Sequence, residues 1–244
     1  RSAAAPTRRP RMAQAGASDA TAGSGPGPEG DADPWVEHLP EEIVGNQFAI
    51  VVHNAVSPSE CDALVDLFEA HGFDNALVNR RGAHQILDTD YRDSSRSIVD
   101  DMDLANRLFE SVHAHIPAAH ATHGGEQSWR VVHLNERLRG LKYVPGQFFA
   151  PHMDGCFSRT RSTGAPFGSI GDTSFITFQL YLNEGMEGGA TRFFGPRDTF
   201  FDVVPRKGSV LLFQHRLYHS GEPVVQGTKY ALRTDVMYTR DRKS

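Results

Sequence analysis

The sequence predicts an α+β domain that is mainly β, with helices first and a sandwich or barrel of strands after them. Three observations predict it. Two helical segments with one apolar face lie in the first half of the chain. From Trp129 onward, short strand-like runs follow one another, punctuated by Gly, Pro and Asn. The chain has 244 residues, 39% of them hydrophobic and 23% charged, which suits one domain of about 200 residues plus a tail. A domain of that size buries on the order of 70% of its unfolded surface, enough for a substantial core.

Taken in order, residues 1–34 are rich in Ala, Gly, Ser and Pro and carry no sustained apolar pattern. They are expected to be a disordered tail. Arg1, Arg8, Arg9 and Arg11 precede the first acidic residue, Asp19. That is the composition of a transit-peptide remnant, or of a stretch appended ahead of Met12. Residues 35–128 read as a helix and strand region supporting the same domain. Phe48–Asn54 is a strand by its β-branched content. Ser57 then caps a helix, with Pro58 at its first position and Glu60 closing a capping box. Cys61, Leu64, Val65 and Phe68 follow at helical spacing, and Gly72 ends the helix. A second helix is expected from Met102 to Ile116, stopping before Pro117. Residues 129–244 are the β core: WRVVHLN, LRGLKYV, QFFAPHMD, SFITFQLYLN, ATRFF, GSVLLFQH and KYALRTDVMY.

Several function classes are excluded or weakened. The net charge of −5 lacks the basic excess of a general nucleic-acid or membrane-surface binder. No apolar run approaches the roughly 18 residues of a membrane-spanning helix. Cys61 and Cys156 are too few for a disulfide framework or a zinc cluster. His113, His115, His120 and His123 fall at a helix end and loop and read as mainly solvated.

The chemistry begins in FFAPHMDG. Side chains alternate along a strand, so His152 and Asp154 share a face. A metal is the partner that would pair them on an otherwise apolar strand. Two histidines and one carboxylate hold iron on one face and leave open positions for cosubstrate and oxygen. His219, in LYHSG after the strand GSVLLFQ, is the leading second histidine. His215, four residues earlier, shares parity with Leu211 and Phe213 and reads as a core or edge residue. Lys229 and Arg233 have one parity on an apolar strand. A cation facing into a barrel needs an anion, so one of the two is expected to hold an anionic ligand and the other to contact it or the substrate.

These motifs carry a resemblance. LKYVPGQFFAPHMDG, FITFQLYLNEGMEGGATRFF and KGSVLLFQHRLYHSGEPVVQGTKYALRTDVMY, in that order, resemble the iron(II)- and 2-oxoglutarate-dependent dioxygenases of the prolyl 4-hydroxylase-like branch. The likeness spans about residues 136–238, and more loosely Asp88–Ser97. It implies a double-stranded β-helix, a jelly-roll barrel with supporting N-terminal helices. It implies that His152, Asp154 and His219 hold Fe(II) and that Lys229 binds the far carboxylate of 2-oxoglutarate. Tyr143 and Thr191, the latter in a Gly-Gly-x-Thr turn with Gly188 and Gly189, match residues beside that cosubstrate. Arg233 joins them as a further cosubstrate or substrate contact. O2 as cosubstrate, ascorbate as reductant, and succinate and CO2 as coproducts are implied too. Asp154 at the ligand position argues against halogenation. One departure matters. LRTDVMY stands where prolyl hydroxylases place a tryptophan, which weakens the case for a peptidyl-proline substrate.

The expected activity is therefore hydroxylation of a C–H bond of a peptidyl or free amino acid or another small molecule. No nucleic-acid partner is expected. A non-catalytic jelly-roll module that binds a ligand or protein is the alternative. The segment DTDYRDSSRS resembles the family's Arg-x-Ser strand, which implies Arg92 or Arg96 near the substrate. The loop from Gly155 to Asp172 reads either as a lid whose Arg159 and Arg161 attract an acidic substrate, or as a solvated loop. Cys156, two residues past Asp154, is expected to be a small buried apolar residue, with a position near the oxidant and oxidative self-damage there as the lesser alternative.

Overall fold

In the computed structural model, residues 33–80, 84–122, 127–161 and 168–241 are described. The expected tail at 1–34 lies almost wholly outside them, as do His123 and the middle of the Gly155–Asp172 loop. From Asp31 onward the chain forms one compact unit.

Two sheets dominate the described residues. The larger has ten strands, running Trp35–His38, Ala49–His53, Val210–Gln214, Thr173–Tyr181, Lys229–Arg240, Arg137–Tyr143, Ser95–Asp100 and Asp74–Asn75. Ser128–Leu134 and Ala119–Ala121 extend it beside the far half of Lys229–Arg240. The smaller has five strands: Phe200–Val203, Thr191–Phe194, His219–Gly221, Phe148–His152 and Arg92–Asp93. All pairings are antiparallel. This is the expected double-stranded β-helix with supporting helices.

The larger sheet is buried on both faces, and its alternation sorts the core in two. Val51, Leu211, Phe213, Tyr181, Leu141 and Ala231 point inward, where Phe193 and Val203 of the smaller sheet meet them. Phe193 and Phe213 touch edge to face across this gap, their ring centroids 5.1 Å apart. Val52, Leu212, Phe178, Leu180 and Leu232 point the other way, under the two helices. Each fully buried Leu or Phe contributes roughly 1.5–3 kcal/mol of transfer free energy, so both faces hold the sheet in place.

The helix Pro58–His71 forms as its sequence predicts. Ser57 accepts from the backbone N–H of Glu60 at 3.2 Å, Pro58 occupies the first turn, and Gly72 ends it with φ 90°. Phe68 reaches the sheet at Gly140, where a Cβ would stand 2.4 Å from the Phe68 ring. The second helix is shorter than expected. It runs Met102–Glu110, capped by the Asp101 side chain, and the chain continues as a 3-10 turn at His113–His115. Ser111 Oγ donates to the Leu108 carbonyl at 2.8 Å, and Val112 leaves helical geometry (φ −135°, ψ −5°) to bury its side chain. The 3.6-residue pattern persists through that turn, so apolar spacing alone overruns the end. His120 is not merely solvated: it stacks on Phe175 at 4.2 Å.

Among the described residues, no helix is long and apolar enough to cross a membrane.

Candidate metal and cosubstrate site

His152 ends the strand Phe148–His152, and His219 opens His219–Gly221. The two are direct cross-strand partners, with ring centroids 4.3 Å apart. Asp154 lies two residues past the end of the first strand, and its N–H donates to the His215 carbonyl at 2.9 Å. The carboxylate thereby lies 3.7 Å from His152 Nε2 and 3.9 Å from His219 Nε2. One ligand atom from each of the three residues falls within 4.8 Å of the others, so one ion can touch all three.

The chemistry of the donors fits a divalent metal. A backbone carbonyl can only accept, so His152 Nδ1–H donates to Ala150 (2.8 Å) and His219 Nδ1–H donates to Leu217 (2.9 Å). Both Nε2 atoms are left as bare lone pairs facing Asp154. Burial, and then the neighbouring His219, push the His152 pKa down to about 4; burial likewise lowers that of His219. Both rings are neutral near pH 7, as ligation requires. Burial opposes ionisation of Asp154, but the Arg233 guanidinium overcomes it and holds the carboxyl well below the usual carboxylate range. Asp154 Oδ1 accepts from Arg233 Nη2 at 2.9 Å, and Oδ2 accepts from Thr177 Oγ1 at 2.5 Å. A carboxylate offers about four lone-pair sites, so capacity for a metal remains.

The rival histidine takes a different part. His215 is buried, and neither ring nitrogen has a hydrogen-bond partner; Nε2 sits 3.7 Å from Asp235 Oδ1. It does not join the cluster of potential ligands, and it helps place Asp154 only through its backbone.

The three groups open into a cavity of about 500 Å³ whose walls come from both sheets. At one end Lys229 is buried, 4% exposed. Its ammonium donates to the Gly189 carbonyl at 2.6 Å and lies 5.4 Å and 5.5 Å from the Tyr143 and Tyr181 ring centroids. Among the described residues no carboxylate pairs with it. Burial therefore brings its pKa down to about 8. An ammonium has three donors, and the protein occupies one. Gly188 and Gly189 make the turn that presents that carbonyl, with φ 77° and 71°. Tyr143 is the cross-strand partner of Lys229 and lines the same end. Thr191 is also buried there. Its hydroxyl oxygen accepts from Tyr181 OH at 2.8 Å and from Gln179 Nε2 at 3.0 Å. With both lone pairs taken, its own proton is left to donate into the cavity.

Arg233 points into the cavity but is placed against Asp154 and Asp235 rather than beside Lys229. Arg92 and Arg96 both line the cavity. Two expectations are corrected. Arg159 is neither a lid cation nor a solvated one: it is 2% exposed and forms a two-pronged pair with Glu136, which ties the loop base to the strand region before it. Cys156 is exposed and lines the cavity, because the strand has already ended at His152 and the chain does not carry Cys156 into the core.

Sequence reasoning missed Arg139, Asp235, Thr177 and Gln179. Strand parity could have found the first two. Arg139 shares a face with Tyr143, and Asp235 shares one with Lys229 and Arg233. The last two depend on register. Thr177 stands opposite Asp235, and Gln179 opposite Arg233.

Residues 138–234 match the sequence profile of the 2OG-Fe(II) oxygenase superfamily. The chain is 25% identical over 211 residues to prolyl 4-hydroxylase 1 of Arabidopsis thaliana, covering 79% of this chain and 69% of that protein. Its fold is similar to that of a Pseudomonas putida prolyl-4-hydroxylase, with a TM-score of 0.54 at 17% identity over 79% of this chain and 94% of the other. It is also similar to a Trichoplax adhaerens prolyl hydroxylase, solved with a hypoxia inducible factor peptide fragment. There the TM-score is 0.55 at 14% identity, over 80% and 87% of the two chains. The profile match over the β core, the hydroxylase relatives and the two-histidine, one-carboxylate cluster agree: residues 138–234 are a 2OG-Fe(II) oxygenase domain, similar to the prolyl 4-hydroxylases, and the protein is a 2-oxoglutarate-dependent dioxygenase.

Proposed function

We propose that the protein hydroxylates a C–H bond of a peptidyl or free amino acid or a related small molecule, with His152, Asp154 and His219 as the iron ligands and Lys229 as the cosubstrate anchor. Bound iron(II) would supply oxygen activation coupled to decarboxylation of 2-oxoglutarate, releasing succinate and CO2 and leaving one oxygen atom for the substrate.

The chain's own residues do the rest. The Ala150 and Leu217 carbonyls hold the protons of both histidines on Nδ1, so that Nε2 is free at neutral pH. Thr177 and Arg233 fix the Asp154 carboxylate. Lys229 offers two unused N–H donors and Thr191 one O–H, enough to hold the far carboxylate of a dicarboxylic acid, with the Tyr143 hydroxyl beside them. Charge-assisted hydrogen bonds of this kind contribute roughly 1.5–3 kcal/mol each. Residues 35–128 belong to this unit as its support, since Arg92 and Arg96 wall the same cavity as the core from 129 to 244.

The observation that carries the reading is the buried ammonium, without an acid partner among the described residues, in the same cavity as a two-histidine, one-carboxylate cluster. The test is turnover with iron(II), ascorbate and 2-oxoglutarate, reading succinate together with a one-oxygen mass gain in a substrate screen. Succinate release that vanishes in His152→Ala supports the enzyme. A protein that binds neither metal nor 2-oxoglutarate supports the module instead.

A further inference from the structure

Resting on that reading, we infer that the substrate carries a carboxylate and that Arg96 receives it, with Arg92 and Arg139 on either side. The cavity is out of balance with the rest of the molecule. The chain as a whole has a net charge of −5, yet five cations line this one space: Arg92, Arg96, Arg139, Lys229 and Arg233. The carboxylates among its lining are Asp154 and Asp235.

Those two carboxylates are already committed. Arg233 contacts both, at 2.9 and 3.4 Å, and Arg139 reaches Asp235 at 3.4 Å. Lys229 is assigned to the cosubstrate. Arg92 lies 4.6 Å over the Phe149 ring, and its Nε donates to Ser94 Oγ at 3.1 Å. Arg96 is different. It makes neither a hydrogen bond nor an ion pair through its side chain with any described residue. Asp74, its cross-strand neighbour, attracts it without closing to an ion pair. Burial, and repulsion from Arg92, Arg139 and Arg137, lower its pKa. A half-buried guanidinium among three others is costly unless an anion joins them.

Register puts Arg96 where a substrate can use it. Arg96, Leu141, Ala231 and Tyr181 form one row across four strands of the larger sheet. Arg139, Arg233 and Gln179 form the next row. Arg96 is thus two strand spacings, about 9–10 Å, from the strand bearing Lys229 and Arg233. A molecule of amino-acid size spans that gap with its carboxylate on Arg96 and a carbon near the metal ligands. The planar fork of arginine matches a carboxylate in two parallel bonds. The carboxylate can belong to a free acid or to an acidic side chain within a peptide.

The experiment uses calorimetry on the full chain loaded with manganese(II) and 2-oxoglutarate. One arm titrates a panel of N-acetyl amino acids against their carboxamides. The other titrates capped tripeptides bearing Asp or Glu against the same peptides with Asn or Gln. At least one acid should bind tenfold or more tighter than its neutral twin, and the arm that shows it identifies the source. Arg96→Gln should erase the preference and Arg96→Lys should restore part of it. A 2-oxoglutarate affinity that moves less than twofold in Arg96→Gln marks a lost substrate contact rather than a disordered site. No acid outbinding its twin in either arm overturns the inference, as does a preference that survives Arg96→Gln. If the protein takes up no 2-oxoglutarate, the dioxygenase reading falls, and the same acid and amide pairs on the manganese-only protein still decide for or against Arg96.

Discussion

The two sheets divide the chemistry between them. The smaller contributes both histidines, paired across one register position, with Asp154 immediately beyond its strand end. The larger contributes the cations: Lys229 and Arg233 from one strand, Arg139 and Arg96 from its neighbours. On the proposed reading, one sheet holds the metal and the other holds anions. The smaller sheet needs neutral imidazoles with Nε2 free: burial keeps the rings neutral, and the Ala150 and Leu217 carbonyls hold their protons on Nδ1. The larger sheet places like charges opposite each other, Arg139 against Arg233, an arrangement that destabilises a sheet unless something bridges it. Asp235 bridges that pair. Among the described residues Lys229 and Arg96 have no such bridge, and the ligand roles proposed for them rest on that.

Three substitutions or conditions sharpen the division, from the largest effect to the smallest. Lys229→Met removes the buried ammonium from the larger sheet. Affinity for 2-oxoglutarate should fall about 100-fold, the value of one or two charge-assisted bonds, while metal affinity, which belongs to the smaller sheet, stays put. Stability should rise by about 1–3 kcal/mol, because an apolar side chain of similar length no longer bears the desolvation of a charge. Denaturant unfolding with parallel calorimetry checks both halves. Gly140→Ala acts on the outer face of the same sheet. Its Cβ would overlap the Phe68 ring, so it should destabilise by about 1–3 kcal/mol and leave 2-oxoglutarate affinity of the folded protein unchanged. A variant that lost cosubstrate binding instead would show that the two faces are not separable.

The third lever is pH. Burial lowers the Lys229 pKa to about 8, and the anion requires the protonated form. Affinity for 2-oxoglutarate should therefore be complete below about pH 8 and weaken by about tenfold for each unit above it. Calorimetry across that range reads the slope, and Lys229→Arg should flatten it, since a guanidinium stays charged. A flat profile in the unaltered protein would mean that another group carries the anion.

What could be read from the sequence follows the same division. His152 and Asp154 sit two residues apart, and strand alternation alone puts them on one face. Lys229 was legible from its parity with Arg233 on an apolar strand and from the resemblance, although the chain passes from the smaller sheet to the larger between His219 and Lys229. The charged rows of the larger sheet were not legible, because residues 96, 139 and 233 meet only through register between distant strands. Arg159 misled for a related reason. A loop position says nothing about a long-range partner, and Glu136 lies in a different strand connection. Cys156 misled because its burial was judged from side-chain type, whereas the chain leaves the sheet at His152. The helix after Asp101 was overestimated because apolar spacing survives a change from α to 3-10 geometry.

The most direct measurement is titration of 2-oxoglutarate into the protein with and without manganese(II), for the unaltered chain, His152→Ala and Lys229→Met. One equivalent should bind tightly only when metal is present, and each substitution should weaken it by about two orders of magnitude. Equal binding without metal, or binding indifferent to Lys229, would contradict a dioxygenase site shared between the two sheets.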